Sequence, residues 1–110
     1  MILTAVRNEL LEQLWDAGSV PGHPEWRRAS ARREISAPVK LSTGGTTCTG
    51  RTLNVNVAPE SLCVFSRERI QAGSGVAICA DGQGWRGEWR GRVVHCTQTV
   101  GGWKLGIAAS

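Results

Sequence analysis

The run Trp85–Ala108, WRGEWRGRVVHCTQTVGGWKLGIA, decides how this chain folds. Trp85 to Thr99 alternates well enough for one long β-strand, with Gly91 marking an expected bulge or bend. Gly101-Gly102 reads as a two-residue turn, and Trp103–Ala108 as the strand that returns. Upstream the same grammar repeats. Asp81-Gly82 is a hairpin signal, preceded by a strand at Gly75–Ala80 whose entry turn is Gly73-Ser74. Before that come strands at Ser61–Ser66 and Thr47–Val57, then the turn Gly44-Gly45 and a first strand at Ser36–Thr43. Thr47, Thr49, Leu53 and Val55 suit a pleated surface. Six strands joined mostly by short turns predict a mainly β fold, a six-stranded antiparallel barrel closed to hide its edges.

Size and composition agree. The chain has 110 residues, enough for one modest core. Its 14 glycines and absent tyrosines fit short strands and turns better than a helical bundle. Net charge is +4, compatible with an anionic ligand but mild for a dedicated duplex-DNA binder. Cys48, Cys63, Cys79 and Cys96 lie in strand-like runs without CxxC spacing, and His23 and His95 complete no zinc pattern. Met1–Leu11 carries Arg7 and Glu9, unlike a secretory leader, and no run has the ~20 apolar residues of a membrane span. A reduced, soluble, cytoplasmic protein with no membrane partner is expected.

The N-terminal part differs. Val6, Leu10, Leu11, Leu14 and Trp15 form one apolar stripe, predicting a helix over Ala5–Ala17 with Thr4 as cap and Gly18 as left-handed stop. So short a helix must dock, either over a mouth or edge of the barrel or against a second copy. Ser19–Glu25 contains Pro21, Gly22 and Pro24 and reads as linker. The chain thus divides into a helix and linker, 1–25, and a barrel with a basic arm, 26–110. The arm places Arg27, Arg28, Arg32 and Arg33 directly before the first strand.

No enzyme chemistry is evident: there is no phosphate loop between strand and helix, no defensible Ser/His/Asp order and no close carboxylate pair. His95 reads as a structural histidine. Trp85, Trp89 and Trp103 read as barrel filling or rim.

Three features together resemble the PilZ domain family of bacterial cyclic di-GMP receptors, from about Trp26 to the C-terminus. Arg28 and Arg32 match its RxxxR motif, followed by Pro38-Val39 in the first strand. Asn56-Val57-Ala58-Pro59-Glu60-Ser61 stands where the family has (D/N)xSxxG. Gly91-Arg92-Val93-Val94-His95 and Gly101–Ile107 are similar to its last two strands. The resemblance implies a ligand between the arginine arm and the second motif, held by Arg28, Arg32 and Asn56, with Ala58 and Ser61 at the remaining motif positions. Arg27 and Arg33 are further candidates. Guanidinium forks suit phosphates and the O6/N7 edge of guanine.

Two positions depart from the family. Ala58 lacks the serine hydroxyl, worth about 0.5–1.5 kcal/mol. Ser61 replaces glycine, at a cost of ~1–2 kcal/mol if that site is left-handed. The expected function is a single-domain cyclic di-GMP receptor that closes its arm and presents a surface to a downstream protein. Its alternative is an adaptor that has lost the nucleotide and docks a partner on the barrel or the Leu10–Leu14 helix face. A barrel binding RNA or single-stranded DNA through the arm and tryptophans accounts for less, because it leaves the Asn56 turn and closing strands unexplained.

Overall fold

A computed structural model describes residues 9–19, 32–57, 59–80 and 86–110. Among these described residues one helix, α1 (Glu9–Ala17), precedes seven strands: β1 (Arg33–Glu34), β2 (Pro38–Thr43), β3 (Thr46–Val57), β4 (Glu60–Ser66), β5 (Gly75–Ala80), β6 (Glu88–Thr99) and β7 (Gly102–Ala109). All ladders are antiparallel. The order runs β3-β2-β5-β6-β7-β4, and β4 pairs again with β3, closing a six-stranded barrel. The expected closed barrel is what forms.

β1 is additional. It extends the line of β2 along the far half of β3, pairing Arg33 with Val55 and Glu34 with Asn54. Between β1 and β2 three residues, 35–37, oppose only two of β3. The fully buried Thr52 satisfies that irregularity. Its hydroxyl accepts from the Ala37 N–H at 2.8 Å and donates to the Ile35 carbonyl at 2.6 Å. Buried backbone groups that miss the regular ladder need such partners.

The barrel interior follows from alternation. Val39, Leu41, Val55, Leu62, Val64, Ile78, Leu105 and Ile107 point inward, each at most 2 % exposed. Trp89 fills the same core, and its indole N–H donates to the Glu60 carboxylate at 3.0 Å. Trp103 packs partly against the core, while Trp85 and the Asp81-Gly82 turn lie outside the described residues.

Two turn and bend assignments change. Gly91 is not at a bulge: a Cβ there would meet Ala108 O at 2.5 Å and Ile107 Cγ2 at 2.7 Å, so its missing side chain makes room inside. The irregularity in β6 falls later, between Val93 and His95. The last hairpin turns on Val100-Gly101, because Thr99 pairs with Gly102; Gly101 carries the positive φ of 81°.

Leu10, Leu11 and Leu14 of α1 are at most 1 % exposed and belong to the barrel's core cluster. The helix packs on β3 and β6, strands from opposite sides of the closed order, so it plugs a mouth. Gln13 fixes it there by exchanging hydrogen bonds with the Arg86 backbone at 2.8 and 3.0 Å. Helix and barrel thus share one core, and the Leu10–Leu14 face is no free docking surface.

Gly18 is not left-handed either, since it is absent from the positive-φ glycines. A Cβ at Gly18 would lie 2.9 Å from Arg33 Cβ and 3.1 Å from Glu34 O, so glycine is needed for close passage of β1. Ser19 then exchanges two backbone hydrogen bonds of 2.8 Å with Glu34.

Candidate ligand groove

The outer face of β3, β4, β7 and β6 has one row running straight across it. Asn54 pairs with Cys63, Cys63 with Gly106, and Gly106 with His95. Paired residues in antiparallel ladders share a face, so these four point the same way. Two bulges open at this level. β3 has Leu53 extra against β4, and β6 has Val94 extra against β7. A bulge bends its strand and increases its twist. With one on each side of the central Cys63–Gly106 pair, the sheet folds into a groove of about 410 Å³.

Small side chains make the floor: Ser61 and Cys63 on β4, Gly106 and Ala108 on β7. Arg32, immediately before β1, and Asn54 line one side. Val94 and His95 line the other, and Lys104 stands two residues along β7 from Gly106, on the same face. Among the described residues no acidic side chain lines the groove. His95 is exposed, yet its imidazole fills the space above Gly106, where any Cβ would run into the ring.

Burial pushes the Cys63 thiol up from its ordinary value, while the charges of Lys104 and then Arg32 pull the other way. Both cations therefore act on the same floor residue from different elements. Burial wins, so the thiol stays protonated at neutral pH and is a poor nucleophile. The chemistry on offer is recognition of an anionic ligand: two fixed positive charges, an amide and an imidazole around a small-residue floor.

Two of the sequence-named residues meet here. Arg32 and Ser61 line the same groove although 29 positions separate them. Ser61 pairs regularly within β4, and positive φ among the described non-glycine residues does not occur. The left-handed strain expected of a serine at this position is therefore not incurred. Asn56 pairs with Ser61 and shares its face, but it is only 8 % exposed and does not line the groove; Asn54 supplies the amide instead.

Arg33 is drawn elsewhere. Its guanidinium donates to the Trp15 carbonyl at 2.9 Å and lies 4.2 Å from the Trp15 ring centroid, capping α1. Arg27, Arg28 and Ala58 lie outside the described residues. Sequence reasoning missed Asn54, Cys63, Lys104 and Gly106 as site residues and left His95 as structural. Alternation against Leu105 and Ile107 already placed Lys104 and Gly106 on the outer face. Nothing in the sequence announced the bulges that gather them.

All four cysteines are free thiols. Among the described residues there is no metal-ligating cluster and no helix long and apolar enough to cross a membrane. No protein-family model matches the chain, and no curated protein is significantly similar to it.

Proposed function

We propose that this protein is a single-domain PilZ-type receptor of the bacterial cytoplasm. It binds cyclic di-GMP in the outer groove and, with the arginine arm closed over the ligand, offers a changed surface to a downstream protein. One observation supports this reading most. Arg32 from the arginine motif and Ser61 from the start of β4, distant in sequence, line one groove that also contains Lys104 and, among the described residues, no acidic side chain. A phosphodiester needs that balance of charge, and an arginine fork grips it with two hydrogen bonds.

Ser61 is unstrained, so the expected affinity is weakened by the Ala58 departure and by the placement of Asn56 outside the groove lining. One missing hydroxyl contact of about 0.5–1.5 kcal/mol corresponds to roughly two- to thirteen-fold. Arg28 completes the arginine pair in this reading.

Calorimetric titration with cyclic di-GMP, with GTP as control, tests the proposal. Saturable binding that is lost in Arg28→Ala and Arg32→Ala, with the barrel still folded, is the expected result. Absence of heat up to high-micromolar ligand overturns it and leaves the adaptor reading. That adaptor would have to use the barrel exterior, because the apolar face of α1 is buried.

A further inference from the structure

We propose that the groove wall opposite Arg32 is the second half of the binding site, where Lys104 takes a ligand phosphate and the His95 imidazole stacks on its base. This rests on the nucleotide reading above, and it assigns two residues that lie in neither the arginine motif nor the β3–β4 turn.

The placement of His95 is specific. The extra residue at Val94 turns His95 into the row of Gly106, Cys63 and Asn54. A Cβ at Gly106 would strike Cδ2, Cε1 and Nε2 of the ring, so the imidazole lies across β7 rather than reaching away into solvent. Gly106 is the positioning residue for that ring. The side chain is exposed, leaving ring surface open to the groove. Planar rings of this kind bind bases with little regard to sequence because every base has a π-face.

Lys104 is two residues from Gly106 on the same face, a separation of about 7 Å along a strand. That is the scale between the base and the 5′-phosphate of a nucleotide. Among the described residues no carboxylate lines the groove to compete for the ammonium. The groove's 410 Å³ also falls among small-molecule sites.

The chain has two histidines, so in a His23→Gln background the imidazole NMR signals report His95 alone. The probes are cyclic di-GMP, GTP and inorganic pyrophosphate. Cyclic di-GMP is expected to shift the His95 ring resonances, and His95→Ala to weaken its binding by about 5- to 150-fold. Pyrophosphate binding should fall several-fold in Lys104→Ala and stay unchanged in His95→Ala. Gly106→Ala, which displaces the ring without removing it, should reproduce the His95→Ala loss for cyclic di-GMP alone.

The outcomes separate the two readings. If cyclic di-GMP binds through Arg32 but is indifferent to both His95→Ala and Lys104→Ala, this wall has no such role and the receptor reading stands. If GTP engages His95 and Lys104 while cyclic di-GMP does not bind, the wall is right and the messenger is wrong. If no probe moves His95, the inference is overturned.

Discussion

Thr52 has no exposed surface, yet its hydroxyl serves two backbone groups where β1 gives way to β2. Thr52→Val keeps the shape and leaves the Ala37 N–H without its partner. We expect a loss of about 1–3 kcal/mol, read as a lower urea midpoint with unchanged slope. From sequence Thr52 was one strand threonine among several, because the bulge it satisfies depends on a partner fifteen residues earlier. Cys63 gives a second residue-level prediction. Its raised thiol pKa means that the unfolded chain releases its proton first as pH rises. The Cys63 contribution is complete below the ordinary thiol range and is lost as pH climbs from about 8 through the raised value. Wild-type stability should therefore fall more steeply across that range than that of Cys63→Ala. Parallel pH profiles for the two proteins would contradict the assignment.

At the scale of elements, α1 shows which signals a sequence carries. Its apolar stripe was readable because Leu10, Leu11 and Leu14 follow helical spacing, and they are the residues that plug the barrel. Its C-terminus was not readable. Gly18 looked like a left-handed stop, but the end is held by Arg33, which approaches from β1. Two adjacent arginines are consequently placed differently: Arg33 caps α1 and Arg32 lines the groove. Arg33→Ala should cost roughly 1–3 kcal/mol of stability through the lost charged hydrogen bond and ring contact, with little effect on ligand. Arg32→Ala should do the reverse, and thermal melts beside titrations distinguish them. Leu14→Ala, at a site with no exposure, should cost about 2–5 kcal/mol in denaturant unfolding. The β6 strand teaches the complementary lesson. Gly91 suggested the irregularity, but glycine there serves packing against Ile107, and the bulge sits at Val94 with no residue type to mark it.

For the whole molecule, closure was legible from strand count and turn spacing, since six short strands with apolar alternation have few other ways to cover their edges. The strand order and β1 were not, because β1 is two residues of an arginine-rich arm with no strand signature. Every barrel strand has ladders on both sides, so none can leave without breaking two. Native-state hydrogen exchange should show one cooperative unit spanning β2 to β7, with β1 opening at much lower free energy. Protection graded smoothly from one strand to the next would argue against a barrel that opens as a unit.

The paired hydrogen bonds between Ser19 and Glu34 tie together two points of chain on either side of the arginine arm. Joining the ends of a loop of about fourteen residues costs roughly 2 kcal/mol of chain entropy. Docking of α1 has already offset that cost in the folded protein. Arg32 lies two residues before Glu34, so a ligand engaging it would sit beside this tie. If a ligand engages Arg32 only while β1 is held in place, linkage makes that coupling run both ways: the ligand would steady the helix in its mouth, and loosening the helix would weaken the ligand by the same factor.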